Sequence, residues 1–534
     1  MHEIITLQLG TKSNYLATHF WNAQESYFTY SENEESLVNP DIHFRPGLGS
    51  DGSETFTPRT IIYDLKGGFG TLRKFNALYD ISGDSHAAPG LWYAAFRDAA
   101  WLNVILITSR DGNTARRQEQ PIEPSEYQRS LDLGLPTTQL HASDVRYWSD
   151  FNRAFYHPRS IVQLHEYELN SQLMPFENWS AGEELFGSLD KEVDLLDRDV
   201  RPFVEECDQM QGFQFFSGAD DAWGGFAAKY VDNVRDEYGK TSIWVWGIED
   251  GSRMTREKLS VRACNASRTL QSIAQQASAY VRLAAPPSIL PRYVNIDRGS
   301  DWMSTALLCA GIESVTLPTR LNAEAGKRGS LSLFEDTLNT NGVQNVFELY
   351  ASVTSSKTEA SHSSNGTATG HGNGYGENQS TNSPEPSRLD LDYSPSLSSP
   401  SAGRSSHVFA QVECDRDHLE SGTRPLTLTP EERLRRRLNE ESVVEIFQTS
   451  LQFPLLDTFP DTLFETSRRS SGLDMSAALE CNSRIKARIL DLRNTTSRLM
   501  PLEEREAHYN DFTQMAQNYD IGWDSGSDSG IDDE

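Results

Sequence analysis

Asp150 and His157 are the most suggestive pair of reactive side chains in this sequence. A carboxylate beside an imidazole can perform general acid–base chemistry. No nucleophile and no set of metal ligands accompanies the pair, and His157-Pro158-Arg159 has the composition of a turn. The aromatic residues around them are typical of a core. We therefore favour a structural role for this segment, with acid–base chemistry as the alternative.

A lysine beside a glycine is a second candidate, for phosphate binding. Gly239-Lys240-Thr241 matches the end of the pattern G-x-x-x-x-G-K-[ST], but it lacks the earlier glycine and follows a predicted helix instead of opening one. The sequence also lacks H-E-x-x-H, G-x-S-x-G and paired Cys/His spacing. Its five cysteines are scattered, which predicts reduced thiols in an intracellular protein and neither disulfides nor a zinc site. No catalytic residue and no metal ligand is predicted.

The elements that would position such side chains are those of an α/β fold. Ile5, Leu7 and Leu9 alternate with polar residues, and apolar residues recur at helical spacing after Asn14, which predicts a strand followed by a helix. Later segments continue the alternation of strands and helices. They are a strand at 60–65, a strand at 213–216, a helix at 222–238 and a doubly buried strand at 243–248. This order predicts βαβ units and a mostly parallel sheet within an α/β region, residues 1–350.

Composition sets further limits on function. Of the 534 residues, 37% are hydrophobic, which is lean for a chain that is globular throughout and predicts a polar segment. The net charge is −29, and phosphate contacts need clustered Lys and Arg, so we expect no direct binding to nucleic acid. No run approaches the 18 or so apolar residues of a membrane span, so we expect no transmembrane segment. The first arginine is Arg45, which argues against an Arg-rich mitochondrial presequence.

Two segments depart from the α/β pattern. Residues 354–406 are dominated by Ser, Gly, Asn and Thr and cannot bury enough apolar area to offset their ordering entropy, which predicts a disordered insert. Residues 407–518 are predicted to be mainly helical. Helices are expected to begin at Thr429, to run over about 475–499 and to begin again near Pro501.

Residues 519–534 predict an acidic, disordered tail without a basic residue. One interpretation is a solvated end that aids solubility. Ser525 and Ser529 each precede an acidic residue by three positions, so kinases that favour downstream acids could add roughly −1.5 to −2 of charge at each. Trp523 favours a further interpretation, in which the tail docks on an apolar, basic groove of a partner.

Three sequence blocks within roughly the first 250 residues form a recognisable set. Residues 3–10, with Asn14 and Phe20-Trp21, resemble the opening of the tubulin family, R-E-I-x-x-I-Q-x-G-Q-C-G-N-Q…F-W. Residues 57–65 are similar to V-P-R-A-I-L-V-D-L, and 207–214 are similar to the C-L-Q-G-F-Q that leads into the tubulin phosphate loop. The blocks occur in the tubulin order, so the resemblance implies an N-terminal domain with the tubulin/FtsZ-like α/β fold.

A further motif does not belong to the tubulin pattern. It is Tyr147-Trp148-Ser149-Asp150-Phe151, followed by 156–160, and it resembles the signature of the Misato family, whose fungal members are the mitochondrial DNA inheritance proteins. Asp301-Trp302 and 314–318 also suit it. The resemblance implies a Misato-type segment at about 1–120 and a tubulin-like domain at about 140–320, with looser similarity through 407–518.

The Misato resemblance also implies a function. It would be a non-enzymatic, tubulin-like role in the partitioning of mitochondria and the inheritance of mitochondrial DNA. Such a protein would act through protein partners, cytoskeletal or chaperonin, in the cytoplasm and peripherally on the cytoplasmic face of mitochondria. Two alternatives stay open: a GTP-binding, polymer-forming GTPase, and a cofactor of cytosolic chaperonin or tubulin assembly.

The tubulin resemblance further implies a nucleotide pocket, here in degenerate form. Its residues would be Gly10, Asn14, Asp64, Gly218, Gly224 and Gly225. Where tubulins have the phosphate loop G-G-G-T-G-S-G, this chain has Asp220-Asp221-Ala222-Trp223 before the two glycines, so carboxylates and an indole replace small neutral residues. At an effective dielectric constant near 20, a carboxylate about 4 Å from a phosphate charge would cost on the order of 4 kcal/mol. No cofactor is therefore expected, with GTP as the alternative.

Five further residues bear on how far the pocket differs from a working nucleotide site. Lys12 and Lys66 stand where tubulins have Q-C-G and D-L-E, and they could replace the charge of a metal ion; we favour residues that only pack and hydrogen-bond. Asn265 is similar to the tubulin asparagine that reads guanine, although a helix N-cap would explain it equally well. Asp297 and Asp301 are candidates for the tubulin catalytic acid without a firm match.

Overall fold

The structure is a computed structural model, and the residues it describes are 2–28, 36–48, 54–72, 122–322, 326–339, 342–353, 389–397, 406–417, 428–439, 441–465 and 472–520, with the backbone of 104–105 and 117–118. Most of the predicted insert (354–388 and 398–405) and of the predicted tail (521–534) lies outside the described residues.

The strands of the described ranges are β1 (Ile4–Leu9), β2 (Phe44–Leu48), β3 (Glu54–Pro58), β4 (Thr60–Lys66), β5 (Val104–Ile105), β6 (Arg117–Gln118), β7 (Ile161–Glu168), β8 (Gly212–Gly218), β9 (Ser242–Asp250), β10 (Ala279–Ala285), β11 (Val346–Val353), β12 (Leu391–Asp392), β13 (Val408–Arg416), β14 (Val443–Thr449), β15 (Phe453–Pro454), β16 (Gly472–Leu473) and β17 (Met475–Asn482).

The α-helices of the same ranges are α1 (Thr11–Glu25), α2 (Glu126–Asp132), α3 (Trp179–Val193), α4 (Arg201–Val204), α5 (Ala222–Glu237), α6 (Arg256–Gln276), α7 (Asp301–Thr316), α8 (Leu331–Leu338), α9 (Pro430–Leu438), α10 (Arg484–Thr496) and α11 (Leu502–Gln517). None of these described helices combines the length and the apolar character that crossing a bilayer requires.

One large sheet organises the chain. Its strand order is β14-β13-β17-β11-β10-β9-β8-β1-β4-β7, with β12 paired to β11. From β11 through β7 all neighbours are parallel, whereas β17 is antiparallel to both β11 and β13. The predicted α/β class and the mostly parallel sheet are confirmed.

The central strands are buried on both faces. Every residue of β1 is buried, although its alternating sequence is typical of a strand with one exposed face. Its polar side chains are satisfied inside the sheet, where Gln8 Nε2 donates to Thr60 Oγ1 at 2.8 Å and Thr60 Oγ1 donates to the Thr6 carbonyl at 3.0 Å. Polar residues at these positions are therefore compatible with the core of a doubly covered sheet.

Residues 407–518 differ from the mainly helical region that the sequence predicts. Three long strands, β13, β14 and β17, lie in this region and extend the sheet. The predicted helix at 475–499 is divided, because Met475–Asn482 forms β17 and α10 begins only at Arg484. Pairing with a strand on each side outweighs the helical spacing of β17, since strand preference depends strongly on context.

Two places predicted to be disordered contribute to the core. Leu391 and Tyr393, within the predicted insert, are buried, and the Ala284 N–H donates to the Tyr393 carbonyl at 2.8 Å. Tyr519, the first residue of the predicted tail, is also buried, and its hydroxyl accepts from the Val346 N–H at 2.8 Å. The prediction of disorder is therefore wrong at 389–397 and at Tyr519, where single large apolar side chains anchor otherwise polar segments.

Candidate functional site at the carboxyl edge of the parallel strands

The residues of the predicted pocket meet where ligands bind in open α/β sheets, at the carboxyl ends of the strands. Gly10 follows β1, Asp64 lies near the end of β4, and Gly218 ends β8. The other members are carried by α1 and α5, which begin at the same edge. The sequence therefore identifies a set of residues that the fold brings together.

The indole of Trp223 covers Gly10. Gly10 has a φ of +91°, and a Cβ atom placed there would lie 2.5 Å from the indole Nε1. Phe176 packs against the same indole edge to face, with the ring centroids 5.2 Å apart. Trp223 is only 5% exposed, so its ring fills the space between the first turns of α1 and α5. The tubulin resemblance assigns phosphate to this space, and with the indole present a phosphate group does not fit there.

The two carboxylates of the predicted phosphate loop are used by the protein itself. Asp221 caps α5, because its Oδ1 accepts from the Trp223 N–H at 2.9 Å. Asp220 Oδ2 accepts from the Asp250 N–H at 2.9 Å and lies 3.1 Å from the guanidinium of Arg262. The negative charge that a helix N-terminus favours is thus supplied by the chain at the start of α5.

The glycines of α5 serve close packing. A Cβ atom at Gly224 would lie 2.2 Å from Thr269 Oγ1, and one at Gly225 would lie 2.0 Å from the Trp179 carbonyl oxygen. These contacts bring α6 and α3 directly against α5. In tubulins such glycines expose backbone to phosphate; here they expose backbone to neighbouring helices.

Asp64 and Asn14 are bound to each other. Asn14 Nδ2 donates to Asp64 Oδ2 at 2.8 Å, while Thr11 Oγ1 and the Leu65 N–H donate to Oδ1 at 3.1 and 2.9 Å. Burial raises the pKa of Asp64 to about 6, although these hydrogen bonds lower it. The carboxylate is therefore surrounded by donors of the chain, and it holds the first turn of α1 to the end of β4.

Lys12 and Lys66 both lie beside carboxylates. Lys12 Nζ lies 3.0 Å from Asp250 and 3.6 Å from Asp301, and Lys66 Nζ lies 4.0 Å from Glu168. Burial opposes the ionisation of Asp250, but Lys12 lowers its pKa to about 2. The hypothesis that these lysines replace a metal charge loses support, because their charges are balanced within the protein. In the described part of the chain, no three His, Cys, Asp or Glu side chains are arranged to hold a metal ion.

Asn265 lies in the middle of α6, and its amide is fully engaged. It accepts from the Trp179 N–H at 3.2 Å and donates to the carbonyls of Glu177 and Asp220 at 2.8 and 3.0 Å. The N-cap of α6 is Thr255, so the N-cap interpretation of Asn265 is wrong. Its three bonds to the protein do not favour the base-reading interpretation either, because they hold the loops before α3 and α5 in place.

The two candidates for a catalytic acid serve local structure. Asp301 begins α7 and lies beside Lys12, as given above. Asp297 Oδ1 accepts from the Gly299 N–H at 2.9 Å, which forms a turn.

Asp150 and His157 stabilise separate turns. Asp150 Oδ2 accepts from the N–H groups of Arg146 and Tyr147 at 2.9 and 3.0 Å, and His157 Nδ1 accepts from the Arg159 N–H at 3.2 Å. These contacts support the structural interpretation of the segment. The acid–base alternative loses support, because each of the two side chains accepts hydrogen bonds from its own turn.

The Gly239-Lys240-Thr241 triplet follows the C-terminus of α5. Arg235 Nη1 donates to the carbonyls of Gly239 and Thr241 at 3.0 and 2.9 Å. A phosphate-binding loop needs a helix N-terminus after it, and this triplet precedes a strand.

Comparison with known proteins decides the family. The chain is 46% identical over 532 residues to "Protein dml1" of Aspergillus niger, covering 99% of each chain, and 47% identical over 541 residues to "Protein DML1" of Coccidioides immitis, covering 100% of both. Residues 2–133 match the family described as "Misato Segment II tubulin-like domain", and 137–321 match a "Tubulin domain". The chain belongs to the Misato family. "Protein dml1" of Schizosaccharomyces pombe is 34% identical over 343 residues, which cover 60% of this chain and 66% of that protein.

Sequence reasoning missed two residues that close the site of this Misato-family chain. Arg262 lies between two carboxylates, 3.1 Å from Asp220 and 2.9 Å from Asp250. Gly182 of α3 faces α5, where a Cβ atom would lie 1.7 Å from the Ala222 carbonyl oxygen. Adjacent glycines at 224 and 225 inside a predicted helix were the signal for such a close helix pair; no sequence signal points to Arg262.

We expect Asp221→Asn to make the stability of this Misato-family chain less dependent on pH. Burial and the adjacent Asp220 raise the pKa of Asp221 above the ordinary value. A carboxyl whose pKa is higher in the folded state binds a proton on folding, so its contribution lowers the free energy of unfolding as the pH rises from about 4 toward neutrality. Asparagine also caps helices, so the variant should be about 1 kcal/mol more stable than wild type at pH 8.

Urea denaturation at pH 5 and pH 8 measures this difference. Asp297→Asn is the matched control, because Asp297 also accepts from an N–H group two residues later but lies exposed in a loop. An equal pH dependence in wild type and Asp221→Asn would contradict the prediction.

Proposed function

We propose that this chain is a non-enzymatic, tubulin-like protein that serves the partitioning of mitochondria and the inheritance of mitochondrial DNA. Membership of the Misato family supports this mitochondrial role, because it is the role that the Misato-like segment at 147–160 implies. The single observation that carries the non-enzymatic part is the indole of Trp223 over Gly10, with Asp221 at the start of α5. Both groups stand where a nucleotide-dependent relative would hold phosphate.

The chain would act through protein partners in the cytoplasm and on the cytoplasmic face of mitochondria. The net charge of −29 supports an indirect effect on mitochondrial DNA, because neutralising phosphates needs clustered cations. Depleting the protein in cells that express it should disturb the distribution of mitochondria and then lower the amount of mitochondrial DNA. Loss of DNA with a normal distribution of mitochondria, or tight binding of the purified protein to duplex DNA, would contradict this order of events.

We expect labelled GTP, titrated into the purified full-length chain with Mg²⁺, to show no saturable binding below about 1 mM, which corresponds to roughly −4 kcal/mol. The reason is that the indole leaves no room for phosphate and the carboxylates repel it. A tubulin measured in the same buffer is the positive control. Micromolar, Mg²⁺-dependent affinity with GTP turnover would favour the alternative, a polymer-forming GTPase.

A further inference from the structure

A small cavity lies where the end of α1, the segment 38–44 and the chain after α7 meet. Its apolar lining consists of Tyr27, Phe28, Val38, Pro40 and Phe44. His43 and Arg320 belong to its polar lining. The volume of the cavity is about 10 Å³, which is room for one group of the size of a water molecule. The cavity therefore admits only a very small ligand.

Backbone pairing brings the two sides of the cavity together. The Asn39 N–H donates to the Arg320 carbonyl at 2.8 Å, and the Asn322 N–H donates to the Leu37 carbonyl at 2.9 Å. Asn39 also caps the short turn that leads to His43. The cavity thus lies between a segment of the Misato-type region and the end of the tubulin domain.

Two buried polar groups of the lining have no partner. Arg320 is 1% exposed and His43 is 2% exposed. Arg320 Nε and His43 Nδ1 form no hydrogen bond among the described residues. The rest of the guanidinium group is engaged, since Nη1 donates to Thr316 Oγ1 at 3.1 Å and Nη2 donates to the Glu313 carbonyl at 2.9 Å. Hydrogen bonds left unmade in a core are costly, so these two groups indicate a ligand.

The buried charges beside the cavity do not balance. Glu313 is the one carboxylate in the described part of the chain that pairs with Arg320, at 2.9 Å, and it also pairs with Arg416. Arg416 donates to the carbonyls of Leu451 and Gln452 at 2.7 and 2.6 Å, but a carbonyl carries no net charge. Two guanidinium groups therefore share one carboxylate in the core, where a charge without a counter-ion is costly.

The surroundings of His43 have the same positive sign. Burial lowers the pKa of His43 well below the ordinary value, and the positive charges of Arg320 and Arg59 lower it further. The imidazole is therefore neutral at pH 7. The carboxylates nearest along the chain, Glu25 and Asp41, do not line the cavity, and Glu25 already forms an ion pair with an arginine. The electrostatic potential in the cavity thus favours an anion.

We propose that this cavity binds a small monovalent anion of about the size of chloride. Arg320 Nε donates a charge-assisted hydrogen bond to it, and His43 donates from Nδ1 in the tautomer that carries its proton there. A water molecule would satisfy the same groups but would leave the positive charge without a counter-ion. A phosphate group exceeds the volume available. This inference goes beyond the proposed function and does not depend on it.

The chloride dependence of stability tests the site in the full-length chain. Urea denaturation is followed while chloride replaces gluconate, an anion too large for the cavity. The ionic strength stays at about 0.2 M, so the screening of exposed charges is constant. The urea midpoint of wild type should rise with chloride and then saturate, because the ligand binds the folded state. A midpoint that is constant, or that rises without saturation, would overturn the proposal.

Two variants alter the cavity by different means. His43→Phe removes the unpartnered nitrogen and keeps a ring beside Phe20 and Trp21, while Val38→Ile adds a methylene group to the lining. Each should raise the chloride concentration at half saturation at least about tenfold. Val162→Ile, at a half-buried position of β7, is the matched control and should respond like wild type. An equal response in all four proteins would place the chloride effect elsewhere and refute the site.

Glu313→Gln supplies a test of the opposite sign. It keeps the size of the side chain and removes the carboxylate that Arg320 and Arg416 share. Chloride should then bind at least about tenfold more tightly, because the positive charge beside the cavity increases. The line width of the chloride NMR signal, measured against chloride concentration without urea, gives the affinity directly. An affinity that falls or stays the same in Glu313→Gln would contradict an anion held by these guanidinium groups.

Discussion

Glu313→Ala is expected to lower the free energy of unfolding by about 3–5 kcal/mol. Glu313 lies at the centre of a fully buried cluster of charges. Its Oε1 accepts hydrogen bonds from Arg320 Nη2 at 2.9 Å and from the Tyr27 hydroxyl at 2.9 Å. Its Oε2 accepts a hydrogen bond from Arg416 Nη1, with which it forms an ion pair. Removing the carboxylate leaves two guanidinium groups in the core without a counter-ion, which costs more than the loss of an exposed ion pair.

The cluster also joins distant parts of the chain. Tyr27 follows α1, Glu313 lies in α7, and Arg416 ends β13. Helix α7 is buried along almost its whole length between these elements, so it has no solvent in which to place an unpaired charge. Glu313→Ala should therefore loosen the contact between the tubulin-like region and the C-terminal strands.

Urea denaturation at pH 7 measures the change. Glu313→Gln keeps the size of the side chain and should give a smaller loss, whereas Glu123→Ala removes the exposed pair with Arg129 and should change stability by less than about 1 kcal/mol.

Burial alone would raise the pKa of Glu313, but Arg416 and Arg320 hold it below the ordinary value. The stability from this glutamate is therefore present at neutral pH and is lost as acid titrates the folded protein, so Glu313→Ala should flatten the acid side of the stability profile. A change below about 1 kcal/mol at pH 7 would show that the cluster does not stabilise the fold.

The sequence predicts the elements whose signals are local. The strands at Ile4–Leu9 and Gly212–Gly218 and the helix at Ala222–Glu237 lie where periodicity and composition place them. The strand Met475–Asn482 could not be predicted in this way, because its alanine-rich sequence also suits a helix and only pairing with β11 and β13 decides it. Long-range pairing leaves no pattern within a window of a few residues.

The candidate site likewise has some features that the sequence predicts and others that depend on long-range packing. The replacement of small residues by Asp220, Asp221 and Trp223 is visible in the sequence, and it predicts an altered phosphate loop. The position of the indole over Gly10 depends on how α1 and α5 pack, so it could be seen only in the structure. Asn265 illustrates the limit further, since its three partners come from two loops that are distant in sequence.

At Tyr393 the amino-acid composition predicts disorder, and this prediction is wrong. It follows a long Ser- and Gly-rich stretch and is nevertheless fully buried, with its ring against α7. A Cβ atom at Gly311 would lie 2.8 Å from the Tyr393 ring, so the glycine provides the space for it. Arg488 lies 2.6 Å from the neighbouring Asp392 and holds the same segment from the other side.

Tyr393→Ala is expected to lower the free energy of unfolding by about 3–5 kcal/mol, because it leaves a large cavity beside α7. The Tyr393 hydroxyl is buried without a hydrogen-bond partner among the described residues, so the control Tyr393→Phe should change stability by less than about 1 kcal/mol.

Replacing 354–388 with a short glycine-containing turn should change stability by only roughly 1 kcal/mol, because β11 and β12 are antiparallel neighbours and loop-closure entropy varies slowly with length. Urea denaturation of the three variants measures the contrast. If the loop deletion destabilises the protein as much as Tyr393→Ala does, residues 354–388 pack against the fold; if Tyr393→Ala has no effect, the segment at 389–397 does not anchor the chain.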